Sequence, residues 1–374
     1  MDGSISNIDY TKIKCLIVGC GLFGSCIAQK IAEQDKKLSV HIIDKFSHPG
    51  GTAYSYPDPE TGIELHKYGS HIFHTSDEKV WKYINRFTDF FPYRHKVLLK
   101  NRSKTYFLPV NLKTINEIGG CSLTPAEAEK LFSGTCDNEI SQLQKKVCNK
   151  LFAGYTAKQW GTPLTKISAE IIKRLPVRFD YNIDYFDDIY QGIPENGYGF
   201  MIANLLSAPN IKVILNTDFF KIRHLLPKDC RIIYSGRIDS LFGYKFGKLQ
   251  YRSLDFDFST LPVKDFQGNS VINYADKNIP YTRIHEFKHF LPRHISFNTQ
   301  KTVICKEIPA KFTEEKIPFY PVNDNENTIR YSKYCELAEK EKFLLTGGRI
   351  GSFSYLNMDQ TILQALEKFD LLDL

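Results

Sequence analysis

Ile13-Lys14-Cys15-Leu16-Ile17-Val18-Gly19-Cys20-Gly21-Leu22-Phe23-Gly24 is the stretch that decides the fold. Its first six residues make a short, apolar, β-branched run, the pattern of a strand buried in a parallel sheet. Ser25 to Glu33 continues with helical periodicity, and Leu38 to Ile43 is a second apolar run that ends at Asp44. Strand, Gly-x-Gly-x-x-Gly, helix, strand, acid is the order of a dinucleotide-binding unit. Each part has a physical task. Gly19 permits the tight turn, Gly21 lets backbone approach a pyrophosphate, and Gly24 lets helix and strand pack closely. The helix amino terminus adds unpaired N–H groups and the positive end of the helix dipole. Asp44, about 20 residues past the last glycine, is placed to accept from a ribose hydroxyl.

Outward from this unit, His48-Pro49-Gly50-Gly51-Thr52-Ala53 puts a second glycine pair just beyond the acid. Such a pair lets the chain pass close to a cofactor again, with Gly51 and Thr52 as the contacts. At the carboxyl end, Lys342 to Leu345 reads as a strand, followed by Thr346-Gly347-Gly348-Arg349. Asn357-Met358-Asp359 then leads into a helix from about Gln360 to Phe369. Glycines after a strand and a second helix amino terminus suit a long cofactor held at both ends, with Arg349, Met358 and Asp359 beside it. A unit begun at one end of the chain and completed at the other is a flavoprotein layout, so FAD is the expected cofactor.

The 374 residues suffice for two or three domains, and 42% hydrophobic with 24% charged residues is ordinary globular composition. Met1 to Lys14 is polar and carries no secretory-signal core. No apolar run is long enough to span a bilayer, so a cytoplasmic protein without membrane insertion is expected. Nine scattered cysteines without a Cys-x-x-Cys pair argue against a zinc site and against a disulfide framework. No metal is expected. A net charge of +7 without a dense Lys/Arg block suits anionic small molecules and not nucleic acid.

Several further segments resemble the UDP-galactopyranose mutases, in particular their bacterial branch. Tyr68-Gly69-Ser70-His71-Ile72-Phe73-His74-Thr75 is similar to the histidine segment that the family places beside the flavin. Gly154-Tyr155-Thr156-Ala157-Lys158-Gln159-Trp160-Gly161 is similar to its uridine-binding segment, and Ile171 to Phe179 to its substrate-closing loop. Pro280-Tyr281-Thr282-Arg283-Ile284, Pro318 to Asp324, and Gly348-Arg349 with Tyr355 follow in the family's order. Thr52, Ser70 and Asn357 depart from it, standing where Asn, Ala or Pro, and Asp are usual.

The resemblance implies a flavin-dependent isomerase that interconverts UDP-galactopyranose and UDP-galactofuranose. Reduced FAD attacks the anomeric carbon through N5, UDP leaves, and the sugar recloses through another hydroxyl without net oxidation. It implies Arg174 and Arg283 as the cations that meet the charge growing on the diphosphate. Tyr185, Tyr320 and Tyr355 are implied as hydroxyl donors to the same group. Phe152 and Tyr155 would stack on uracil, Thr156 would add a polar contact, Trp160 would line the cleft near the sugar, and His71 would sit by the flavin. Arg178 and His74 read as structural. An external reductant such as NAD(P)H or a reductase, and a homodimer, complete the expectation. Two alternatives stay open: an FAD-dependent oxidoreductase of the amine-oxidase-like class, and the same ring contraction on UDP-N-acetylgalactosamine.

The expected fold class is α/β in three parts. A Rossmann-like FAD-binding domain draws on 1–85, 197–245 and 335–374. A helical substrate or lid domain spans 86–180, on patterns such as Thr124 to Phe132 and Glu139 to Leu151. An antiparallel β-sheet substrate domain takes 181–196 and 246–334, where Leu249–Phe256, Val271–Tyr274 and Thr302–Lys306 alternate. Gly161 to Pro176 is the expected gating loop.

Overall fold

A computed structural model describes residues 8–132, 138–161, 177–292 and 299–372. Five parallel strands form the dinucleotide sheet, in the spatial order Ile211–Ile214, Val40–Ile43, Cys15–Val18, Arg231–Tyr234, Leu344–Thr346. The opening apolar run takes the central place because both of its faces are covered. Ile17 and Ile42 enter one core, with Ile27, Ile31, Ile202 and Leu366; Leu16 and Ile43 enter the other, with Phe219 and Tyr234. Successive side chains on a strand point to opposite faces, so an unbroken apolar run serves both layers. The helix Leu22–Gln34 starts at Gly21 and packs against Met358–Phe369 over the first core.

The second sheet has seven strands, in the order Tyr320–Pro321, Tyr251–Leu261, Thr302–Lys311, Arg283–Glu286, Val271–Tyr274, Val97–Asn101, Lys104–Leu108. Its pairs are antiparallel except for Val271–Tyr274 with Val97–Asn101. Those last two strands correct the expectation of a helical unit over 86–180. Val97, Leu99, Tyr106 and Leu108 are buried at period 2, a strand pattern, and Arg102 turns the hairpin with φ 55°. The helices follow the hairpin: Leu112–Gly119, Pro125–Phe132, Asn138–Val147, a π-helical turn Cys148–Ala153, and Gly154–Trp160. The expected gate lies outside the described residues from Thr162 onward. Among the described residues no helix is long and apolar enough to cross a membrane.

Candidate active site

Where the two sheets face each other, a cleft of about 1100 Å³ runs from the first glycine turn to Arg283 and Tyr320. The turn is closed to larger residues. Gly19 has φ +103°, and a Cβ there would stand 2.1 Å from Ser235 Oγ. A Cβ on Gly24 would stand 2.0 Å from the Gly19 carbonyl, which is how closely helix and strand approach. Gly21 differs, since a Cβ there meets nothing within 4 Å and the residue faces the open cleft. The second glycine pair docks on this turn: Gly50 N donates to Cys20 O at 2.6 Å, and a Cβ on Gly51 would come within 3.2 Å of Gly21 Cα. Asp44 accepts from the backbone N–H of Cys20 at 2.7 Å and of Phe46 at 2.9 Å. Burial pushes its carboxyl up from the ordinary value, and these two donors oppose the shift. Gly19, Gly21, Asp44, Gly51, Thr52, Arg349 and Met358 all line the cleft. Gly24 supports it from below. Asp359 does not reach it; burial raises its carboxyl.

The Arg349 guanidinium lies 4.1 Å over the Tyr355 ring and 5.4 Å over that of Tyr320, the two rings being stacked. Its Nε and Nη2 are buried without a hydrogen-bond partner among the described residues. Unmet guanidinium donors are costly, and phosphate oxygens are the acceptors that match the fork. The glycine cradle and these donors together fit a dinucleotide.

Arg283 and Glu307 sit opposite each other on neighbouring strands. Arg283 Nε is 3.4 Å from Glu307 Oε1, and His285 Nε2 is 3.2 Å from Oε2. Burial pushes the Glu307 carboxyl up, but Arg283 and His285 outweigh it and hold it at about 2. Burial works against the charge of Arg283 as well, but Glu307 together with Tyr155, Tyr320 and Tyr185 outweighs it, so the arginine stays above its ordinary value. Arg283 Nη2 also donates to the Tyr155 hydroxyl. Tyr155, Thr156, Trp160, Tyr185, Tyr320 and Tyr355 line the same space.

His71 stands partly exposed on the wall between these groups. Its Nδ1–H donates to Gly69 O at 2.8 Å, and its backbone N–H donates to His66 Nδ1 at 2.9 Å. Surrounding protein pushes its pKa down to about 4, the Gly69 carbonyl partly opposing and Arg349 adding to the shift. Burial, reinforced by Arg283, takes His95 to about 3. These imidazoles are neutral at physiological pH.

Like Asp359, Phe152 is not brought to the cleft. Phe152 is buried in the core formed with Val147, Leu151 and Phe290, because the π-helical turn directs it inward. Arg174 lies outside the described residues. Arg178 and His74 brace the wall: Arg178 pairs with Asp187 at 2.7 Å, and His74 pairs with Asp188 at 2.6 Å under the stacked Phe186 ring. Lys158 clamps the helix Gly154–Trp160 to the loop before Arg283, its Nζ donating to the carbonyls of Tyr274, Asp276 and Tyr281 at 2.8, 2.9 and 2.8 Å.

Sequence reasoning missed Glu307, His285, Gln159 and Asn273. Glu307 had a signal: it continues the buried phase of Val303 and Cys305, where an acid is out of place without a partner. Gln159 Oε1 and Asn273 Oδ1 are buried, without a hydrogen-bond partner among the described residues, and on residues lining the cleft.

Comparison with known proteins agrees in extent and kind. The profile of the family described as UDP-galactopyranose mutase matches residues 150–355, and an NAD(P)-binding Rossmann-like domain matches 17–87. The chain is 38% identical over 371 residues to a Klebsiella pneumoniae protein named as a probable UDP-galactopyranose mutase, covering 95% of this chain and 93% of that one. It is also 38% identical over 369 residues to a dTDP-fucopyranose mutase of Escherichia coli, covering 95% and 97%. Among solved structures, a reduced UDP-galactopyranose mutase shares the fold with a TM-score of 0.71 at 15% identity, over 96% of this chain and 95% of that one.

Proposed function

The chain belongs to the UDP-galactopyranose mutase family, and on that premise we propose that it interconverts UDP-galactopyranose and UDP-galactofuranose on reduced FAD. The observation that carries the reading is one cleft holding both a glycine cradle and two arginines suited to phosphate, Arg283 anchored on Glu307 and Arg349 with donors unmet. Reduced FAD, when bound, supplies the nucleophile for the anomeric carbon, so substrate and product share one oxidation state.

The side chains position and stabilise. Arg283 counters the negative charge that grows on UDP as its bond to the sugar lengthens, while Arg349 serves the cofactor phosphates. Arg283 is preorganised for this by its ion pair with Glu307 and its hydrogen bond to Tyr155. Arg174 is proposed as the second cation for the diphosphate. Burial raises the hydroxyl pKa of Tyr185 and Tyr320, which keeps both as protonated donors beside the diphosphate, with Tyr355 next to them. Tyr155 and Thr156 serve the nucleotide, together with the unpartnered oxygens of Gln159 and Asn273; Trp160 faces the sugar. His71 spends its Nδ1–H on Gly69, which leaves Nε2 as the accepting nitrogen toward a proton on the flavin edge. An external reductant such as NAD(P)H, a homodimer and a cytoplasmic setting go with this proposal.

Equal identity to a dTDP-fucopyranose mutase favours a second reading, ring contraction of a 6-deoxy sugar on dTDP. The test is chromatography of UDP-galactose, UDP-N-acetylgalactosamine and dTDP-fucose after incubation with dithionite-reduced and with oxidised enzyme. Furanose product from UDP-galactose with the reduced enzyme alone supports the proposal. Turnover by the oxidised enzyme with steady hydrogen peroxide release would replace it by an amine-oxidase-like activity.

A further inference from the structure

Ser70 stands on the cleft wall between Gly69 and His71, and its hydroxyl oxygen lies 2.5 Å from His285 Nδ1. The same imidazole turns Nε2 to Glu307, whose other oxygen faces Arg283. Four side chains therefore connect the His71 segment to the arginine on the diphosphate side. Gly69 makes the approach feasible: its φ is +86°, and a Cβ there would come within 3.3 Å of Glu307 Oε2 and 3.7 Å of His285 Nε2. The protons along the chain follow from counting donors and acceptors. Glu307 is ionised and only accepts, so His285 Nε2 carries the hydrogen. In the neutral imidazole, which burial and Arg283 favour, Nδ1 then holds a lone pair and the Ser70 hydroxyl donates to it. The side chains of His285 and Glu307 are 1% and 4% exposed, so water does not supply a missing partner.

We propose that Ser70 is a positioning residue: by donating to His285 Nδ1 it locks the imidazole in the neutral Nε2–H form, reserves Glu307 for Arg283, and so fixes the arginine that meets the diphosphate. The inference rests on the reading of the cleft as a nucleotide-sugar site. Burial and the charge of Arg283 oppose a proton on His285, while Glu307 favours one. The neighbouring imidazoles His66, His71 and His95 add no charge, since burial holds each of them neutral. Removing the Ser70 hydroxyl leaves Nδ1 as a buried acceptor without a donor, one side chain away from open cleft. Water entering the space left by the hydroxyl then accepts from a protonated Nδ1, and the imidazolium competes with Arg283 for Glu307.

The experiment uses the full chain labelled with 15N-histidine, His285→Gln giving the assignment, and measures UDP affinity by calorimetry over the same pH series. In the unsubstituted protein His285 is expected as the neutral Nε2–H form, without titration between about pH 5.5 and 8. In Ser70→Ala it titrates within that window, and affinity for UDP, taken as a ratio to the unsubstituted chain, falls about threefold or more from the upper to the lower pH. Ser70→Thr restores both. A His285 that titrates in the unsubstituted chain overturns the proposal, as does a Ser70→Ala variant whose imidazole spectrum and affinity ratio ignore pH. Expected spectra in a chain that binds no UDP support the lock and overturn the nucleotide-sugar reading instead.

Discussion

Arg283 and Glu307 face each other across two paired strands, guanidinium Nε to carboxylate at 3.4 Å, with the acid buried and the arginine open to the cleft. Breaking such a pair strands the surviving charge. Glu307→Gln is expected to cost roughly 3 kcal/mol of folding stability at neutral pH, measured by urea unfolding. The pH dependence has a definite sign. Glu307 is depressed from 4.5 to about 2, so its contribution is present above the higher value and is lost as pH falls toward the lower one. The stability gap between the two proteins therefore narrows on acidification; a gap that stays constant from neutral pH downward would remove Glu307 as the anchor.

Arg349 gains little from its own protein beyond the two tyrosine rings beneath it. Arg349→Met is expected to change stability by about 1 kcal/mol. Retention of the cofactor or of UDP should fall by about a hundredfold, the worth of a lost charge-assisted pair of bonds. Equilibrium dialysis followed by visible absorbance measures both sides of the contrast.

The glycines of the first turn separate fold from ligand. Gly24→Ala drives a methyl into the Gly19 carbonyl and is expected to cost about 2 kcal/mol or more. Gly21→Ala meets no protein atom, so the cofactor-free chain should melt unchanged while FAD affinity drops about tenfold or more. Equal melting losses in the two variants would contradict the cradle geometry.

Lys158 ties the nucleotide helix to the loop that leads into Arg283 through three carbonyls. Lys158→Met removes the tie without touching the reacting atoms. KM for the nucleotide sugar is expected to rise about tenfold with kcat within about twofold, the pattern of lost uniform binding. Steady-state kinetics on reduced enzyme decides it; a fall confined to kcat would mean that Lys158 acts at the chemical step.

Phe152 packs away from the cleft. Phe152→Leu should cost about 1 kcal/mol of stability and leave KM unaltered, whereas a base-stacking residue would raise KM.

The dinucleotide unit was legible because its demands are local. Gly19, Gly21, Gly24 and Asp44 announce a turn, a close approach and an acid at fixed spacing, and the sheet put them there. Much of the arginine and tyrosine wall was legible only through family likeness, since nothing near Arg283 or Tyr320 in the chain marks a cleft. What stayed hidden was relational. Glu307 acquires meaning from its strand register with Arg283, and Ser70 from a contact with His285 made across the fold. The 97–108 hairpin was absorbed into a helical stretch because two short strands carry fewer periodic positions than the helices after them. Phe152 was misplaced for a similar reason: a π-helical turn rotates the helix face by an amount that regular periodicity does not anticipate.

Ile17 and Leu345 flank Ile233 across the parallel sheet, although they come from opposite ends of the polypeptide. During synthesis the Cys15–Val18 strand therefore emerges before Arg231–Tyr234 and Leu344–Thr346, the strands that complete its side of the sheet. Truncation ahead of Leu344 would strip Arg231–Tyr234 of its outer partner strand and remove Arg349, and the product is expected to hold no dinucleotide.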